Sequence, residues 1–404
     1  MKRLTFLILF FVSLSFVSGN ILANGFPRLL GMNIGAKNYD DPVYQKDLAK
    51  NDIVILGFYH GWRGPGTTGQ KKMQAAVTSL RKINPNILVG QYTVLNEAKD
   101  LDTNAARDVK DKLDANAWWL KNSLGQKVQW TTRYNNFETN FTRWTKTDSK
   151  GDRFSEWLAK RDNAEFFKPV DFDIWFFDNH WARPRVKTSD WDLDGVDDKN
   201  TDPDIIQAHR QGRLDHLAVA RKLQPNMKMM GNVGPALVDA PEYSQQLDGA
   251  FLECMIGMNW SIETWAGWSK MMARYHTTLA NVRPGGFVGF GVCGETNNFK
   301  QFRYAYTSVL MDNGYFAYRD NTTGYSSVPW FDEYDVKLGQ AVDGPQFSAW
   351  QNGVYRRRFD NGMVLINPTS SSKTVTIEKG YRRIVGKQAP SVNNGLAVTS
   401  VVLA

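Results

Sequence analysis

Short apolar runs alternate with amphipathic stretches along most of the chain, the pattern left by βα units wound about a parallel sheet. It predicts strands over 28–35, 52–58 and 87–95. Between the second and third, Met73, Val77, Leu80 and Ile83 share one face at helical spacing, and Asn84-Pro85-Asn86 stops that helix. Further strands are expected over 172–177, 228–234, 249–255, 286–291 and 314–318. Helices are predicted near 104–123 and 153–167, and from Asp202-Pro203 to about Leu223. Two more place Trp265, Trp268, Met272 and Tyr275 on one face, and Phe299, Phe302, Tyr306 and Val309 on another. Eight strands with intervening helices predict an α/β fold, a closed (β/α)8 TIM barrel over 24–344.

Both ends of the chain break the pattern. Past about 344 the runs 354–359 and 363–367 flank Asp360-Asn361-Gly362, a hairpin signal, and 373–378, 381–385 and 397–403 read as further strands. A small all-β, sandwich-like domain is expected over 345–404. At the other end Lys2 and Arg3 precede an apolar run over 4–17, then Ser18, Gly19 and Asn20. That run is short for a membrane span, so a cleaved signal peptide over 1–23 is expected. The mature protein would then be secreted or periplasmic, with no transmembrane span.

Composition narrows the function classes. Of 404 residues 42% are hydrophobic, enough for a large core and too many for a disordered chain. Two cysteines, Cys254 and Cys293, exclude a disulfide-stapled scaffold; an exported chain could pair them, and buried free thiols fit equally well. The formal charge of +8 is spread along the chain without a basic run, so no nucleic-acid partner is expected, while an acidic polysaccharide is permitted. Tryptophan occurs 14 times, often in polar segments, as at Trp130, Trp144, Trp181, Trp191, Trp260 and Trp265. Indoles stack well on the C–H faces of sugars, although core packing is the ordinary use of any one of them. A carbohydrate is the expected partner, and the protein is expected to act as a monomer.

Barrel enzymes carry their chemistry at the C-terminal ends of the strands. There the sequence places His60 and Trp62 after strand two, Glu97 after strand three, Asp178, Asn179, His180 and Trp181 after strand four, and Asn232 in strand five. Glu253 ends strand six, Glu295 follows strand seven, and strand eight leads to Arg319 and Asp320. Glycoside hydrolysis needs one protonated and one ionised carboxyl group astride the bond. Asp178 and Glu253 are the expected pair: Asp178 as nucleophile or base, and Glu253, among apolar neighbours that raise a carboxyl pKa, as general acid/base. Glu97 and Glu295 compete for the second role. His60, Trp62, Glu97, Asn179, His180, Trp181, Asn232 and Glu295 are expected to bind substrate. No cofactor is needed for such chemistry, and five histidines without an HExxH pattern argue against a zinc hydrolase.

One acidic loop stands apart. Asp190, Asp192 and Asp194 alternate before Gly195, with Asp198 beyond, a spacing that can wrap a calcium ion. Position twelve is Thr201 rather than the glutamate of an EF-hand, and a solvated acidic loop is the alternative.

The phrase Phe172-Asp173-Ile174-Trp175-Phe176-Phe177-Asp178-Asn179 resembles the strand-four motif of bacterial (β/α)8-barrel glycoside hydrolases. The segments Trp119-Leu120-Lys121-Asn122-Ser123-Leu124-Gly125 and Asp192-Leu193-Asp194-Gly195-Val196 are similar to their loops, and Tyr355-Arg356-Arg357-Arg358-Phe359 through Val364-Leu365-Ile366-Asn367-Pro368 to their tail. The group named by this resemblance is the hypothetical glycosyl hydrolase family 15, and it implies a barrel, a glycosidase and Asp178 as a catalytic carboxylate. The α-galactosidase clan offers a parallel, with a nucleophilic aspartate after strand four and an acid/base aspartate after strand six; here Glu253 stands at the second place. The competing class is a non-catalytic carbohydrate-binding protein on the same scaffold.

Overall fold

The computed structural model describes residues 25–35, 38–103, 105–234 and 240–403, so the leader expected over 1–23 lies outside the described residues. Eight strands form one sheet in chain order: β1 (Leu30–Asn33), β2 (Ile53–Leu56), β3 (Leu88–Val94), β4 (Ile174–Asp178), β5 (Lys228–Gly234), β6 (Gly249–Ile256), β7 (Phe287–Gly294) and β8 (Tyr315–Asp320). Neighbours pair in parallel throughout. The ring closes where Leu29 bridges Phe316, whose amide donates to the Arg28 carbonyl at 2.9 Å.

Strand alternation sorts the side chains into two layers. Ile53, Ile55, Ile174, Phe176, Met230 and Phe251 fill the lumen, while Val54, Leu56, Trp175, Phe177, Leu252 and Val288 pack under the helices. Each such fully buried side chain contributes about 1.5–3 kcal/mol. The same parity carries Tyr92, Asp178, Asn232, Glu253 and Arg319 onto the inward face at the upper end of the lumen.

The surrounding helices are α1 (Pro42–Leu48), α2 (Gly66–Ile83), α3 (Arg107–Ala115), α4 (Phe154–Asp162), α5 (Pro203–Leu223), α6 (Pro241–Ser244), α7 (Ile262–Ala266), α8 (Trp268–Asn281) and α9 (Phe299–Val309). Helix α2 buries Met73, Val77 and Leu80 as its spacing requires, while Ile83 in its last turn is left half exposed. The helix expected over 104–123 ends early, where Ala117 takes a φ of +54°. The helix expected through Trp265 and Trp268 is split: Gly267, at φ +81°, separates α7 from α8. Trp265 therefore projects into solvent, whereas Trp268 is buried with its indole N–H on Ser308 Oγ at 2.9 Å. None of the described helices is long and apolar enough to cross a membrane.

Two antiparallel pairs follow the barrel, β9 (Tyr355–Phe359) with β10 (Gly362–Ile366) and β11 (Lys373–Thr376) with β12 (Ser400–Leu403). They share a small core of Val354, Met363, Leu365, Val375, Ile377 and Val401. The stretch 381–385, expected as a strand, makes isolated bridges at Arg382 and Val385 instead. Arg357 is buried and donates to the carbonyls of Leu310 (3.0 Å) and Asp312 (2.5 Å) and to Asn313 Oδ1 (2.6 Å). Those acceptors precede β8, so this contact holds the appendage at the end of the barrel opposite the strand C-termini.

Candidate active site

Asp178 ends β4 and Glu253 lies in β6. All other residues of both strands are buried, and these two alone keep partial access to solvent. Each is followed by a residue in the left-handed region, Asn179 at φ +49° and Cys254 at φ +41°. Such conformations are costly for residues other than glycine and concentrate at sites whose surroundings fix them.

One amide holds the pair. Asn232 Nδ2 donates to Asp178 Oδ1 at 2.8 Å and to Glu253 Oε2 at 2.9 Å. The two N–H bonds of a primary amide diverge by about 120°, which sets these oxygens about 5 Å apart. Asp178 also accepts from the Asn179 amide at 2.8 Å, from Asn179 Nδ2 at 3.3 Å and from the Tyr92 hydroxyl at 2.6 Å. Four donors thus converge on one carboxylate, the environment an anion requires. Glu253 Oε1 accepts from the Tyr325 hydroxyl at 2.5 Å. Burial, and then the negative charge of Asp178, push the Glu253 pKa above the usual carboxylate range. Burial also holds Tyr92 and Tyr325 well above the ordinary phenol value, so both remain donors.

Of the eight substrate-binding residues expected from the sequence, Asn179 and Asn232 join the pair. The others do not hydrogen-bond to either carboxylate among the described residues. His60 faces Glu165, with Nδ1 at 3.2 Å from Oε1, and Trp62 is buried against Tyr39 and Phe58. His180 is buried between Phe177 and Tyr243, and burial, with Arg213 nearby, drives its pKa well down, so it sits there as neutral imidazole. Glu97 is paired with Arg185, which also reaches Glu138 at 2.8 Å. Glu295 is exposed, with Oε2 at 3.5 Å from Thr322 Oγ1. Trp181 meets Trp130 edge to face, with ring centroids 6.4 Å apart, and the Arg185 guanidinium lies 4.7 Å from the Trp130 centroid. Trp130, in the segment after β3, and Trp260 and Trp265, in the segment after β6, are exposed indoles. Tyr92 and Tyr325 were not foreseen. Strand parity was the available signal for Tyr92; Tyr325 lies in the loop after β8 and had none.

The acidic loop gathers three of its four expected ligands. Asp190, Asp192 and Asp194 each present an oxygen within 4.8 Å of the others, and Asp190 Oδ1 is buried without a hydrogen-bond partner. Asp198 turns instead to the Trp191 amide at 3.2 Å. These donors suit a hard cation.

The family model described as hypothetical glycosyl hydrolase family 15 matches residues 81–363. No curated protein matches. Among solved structures, the glycoside hydrolase domain of PelA from Pseudomonas aeruginosa is similar, at 14% identity and a TM-score of 0.46, over 76% of this chain and 98% of that one. An Anoxybacillus alpha-amylase aligns at 11% identity and a TM-score of 0.48, over 90% and 87%. The galactosidase domain of the alpha-galactosidase-sucrose kinase AgaSK aligns at 11% and 0.49, over 94% of this chain and 54% of that one.

Proposed function

We propose, for a chain that belongs to hypothetical glycosyl hydrolase family 15, that Asp178 and Glu253 hydrolyse a glycosidic bond of an oligo- or polysaccharide with retention of configuration. The observation that carries this reading is the single Asn232 nitrogen hydrogen-bonded to both carboxylates. It sets the near oxygens about 5 Å apart, the spacing of retaining enzymes; inverting pairs stand about 6.5–9.5 Å apart to admit a water.

Asp178, which accepts four hydrogen bonds, attacks the anomeric carbon as the glycosidic C–O bond breaks. Glu253, whose pKa is raised by burial and then by the charge of Asp178, acts as the acid and gives its proton to the departing oxygen. In the second half-reaction Glu253 takes a proton from water, the water oxygen bonds to the anomeric carbon, and Asp178 leaves as carboxylate. The exposed indoles Trp130, Trp260 and Trp265 offer stacking faces for neighbouring sugar units.

Two companion readings go with this. Asp190, Asp192 and Asp194 hold a structural calcium ion that braces the loop after β4; the partnerless Asp190 Oδ1 supports it. The protein works outside the reducing cytoplasm, in keeping with the Cys254–Cys293 disulfide, whose Cα atoms are 5.1 Å apart.

The test is reducing-end release from a panel of polysaccharides. Asp178→Asn and Glu253→Gln should each lower turnover by about two orders of magnitude or more while glycan binding persists. Equal turnover in native and variant proteins contradicts the mechanism. Binding without turnover in the native chain would favour the non-catalytic alternative.

A further inference from the structure

Arg319 is the inward-facing residue that follows Tyr315 and Ala317 along β8, and its parity brings it to the same mouth as Asp178 and Glu253. Its guanidinium carbon lies 5.0 Å from the centroid of the Tyr325 ring, and the Tyr325 hydroxyl is the one bound to Glu253 Oε1. The guanidinium is thus one aromatic ring away from the proposed general acid. Its hydrogen bonding is poor for its charge. Nη1 reaches two neutral acceptors, Cys293 Sγ at 3.6 Å and Asn321 Oδ1 at 3.3 Å. Nε is buried and has no partner, and Nη2 makes no hydrogen bond among the described residues.

The contrast with Arg185 across the mouth is informative. Arg185 is neutralised by both Glu97 and Glu138. Arg319 has no carboxylate within ion-pair distance among the described residues, and its positive charge reaches Glu253 only across Tyr325. A part-buried guanidinium without a counter-ion is costly, and proteins rarely keep one unless something else completes it. Nη2, which has no hydrogen-bond partner among the described residues and is not sealed from solvent as Nε is, is the guanidinium nitrogen left to donate to an anionic group. The formal charge of +8, which becomes +6 once Lys2 and Arg3 are removed with the expected leader, favours the approach of a polyanion to the whole molecule.

We infer that Arg319 recognises an anionic substituent, a carboxylate or a sulfate ester, on the sugar bound against Asp178 and Glu253, which makes the substrate an acidic glycan. This rests on the reading of that pair as the catalytic centre. Arg319 is a specificity residue: it binds a part of the sugar that does not react.

The experiment compares the full chain with Arg319→Gln and Arg319→Lys. The probes are polygalacturonate, alginate and hyaluronan, their carboxyl-reduced forms, a sulfated galactan, and neutral galactan, xylan and mannan. The expected result is turnover of an acidic glycan and loss of that turnover on carboxyl reduction. Arg319→Gln should lower kcat/KM about 10- to 100-fold, the worth of a charged hydrogen-bonded contact, with Arg319→Lys between the two. Turnover of the sulfated galactan alone would identify a sulfate ester in place of a carboxylate. Turnover of a neutral glycan that Arg319→Gln leaves unchanged overturns the inference and leaves the carboxylate pair standing. If the native chain cleaves nothing, the hydrolase reading fails, and the Arg319 site is read by calorimetric titration with galacturonate, glucuronate and sulfate. Binding abolished by Arg319→Gln and retained in Asp178→Asn supports it; binding of none of the three overturns it. Melting curves of both Arg319 variants separate a lost contact from a lost fold.

Discussion

Asn232 donates to Asp178 and Glu253 through one nitrogen, and what distinguishes the two carboxyl groups is the rest of their surroundings. Asp178 gathers further donors from Asn179 and Tyr92, while Glu253 is desolvated by burial and feels the charge of Asp178. A raised Glu253 pKa has a definite consequence for the pH profile. The acid step needs Glu253 protonated, so kcat/KM should fall as pH rises through the Glu253 pKa, at a higher pH than an ordinary glutamate would give. Glu253→Gln should remove that alkaline limb along with most of the rate, and an unchanged limb in the variant would assign it to another group. Strand parity made Asp178, Asn232 and Glu253 legible, because the last inward residue of a barrel strand has nowhere to point except the mouth. Tyr325 was not legible. Its hydroxyl reaches Glu253 through the path of a loop, which no periodicity encodes. His180 and Trp62 are buried for a related reason: a strand-end position does not say whether the backbone turns a side chain up to the mouth or back under the helices.

Among the elements, β6 and β7 bear most directly on the site. The Cys254–Cys293 disulfide joins them next to Glu253, where Cys254 takes a left-handed φ and the β6–β7 register shifts between Leu252 and Ile256. The sequence left these thiols open between pairing and burial, since proximity across a ladder cannot be read from two isolated cysteines. The link constrains the backbone that presents Glu253, the proposed general acid. Reduction, or Cys254→Ser with Cys293→Ser, should lower stability by about 2–4 kcal/mol and reduce kcat more than it changes KM. Thermal melts and initial rates with and without a thiol reductant check this, and an unchanged kcat in the reduced protein removes the disulfide from the mechanism. The strands were legible because each is a dense apolar run. The helix after β6 was not, because one glycine at positive φ splits it and sends Trp265 outward.

At the scale of the molecule, long segments after β3 and β4 build one wall of the mouth. The acidic loop lies within that wall: Asp190 is bridged to Lys121, and Asp197 Oδ1 accepts from the Ser123 amide at 2.7 Å. A calcium ion there would tie the wall together, and binding to the native state alone would stabilise the whole protein. A chelator should therefore lower the melting temperature by several degrees, with calcium restoring it and Asp192→Asn abolishing the response. An identical melting temperature with chelator and with calcium contradicts the ion. The barrel and the change to a β appendage past residue 344 were legible from the loss of helical periodicity. The sandwich-like domain is, in the structure, two antiparallel pairs on a small core, because Gly-, Asn- and Ser-rich stretches over 386–395 leave little apolar surface to build longer strands.

The proposed mechanism depends on distance: two carboxyl groups on one amide, close enough for one of them to bond to the sugar itself. Proton NMR of the anomeric signal in the first minutes of turnover, on whichever glycan the panel identifies, decides between the two displacement geometries. The first product should carry the anomeric configuration of the substrate, with the other anomer appearing later by mutarotation. A first product of opposite configuration would mean that water, not Asp178, attacks the sugar.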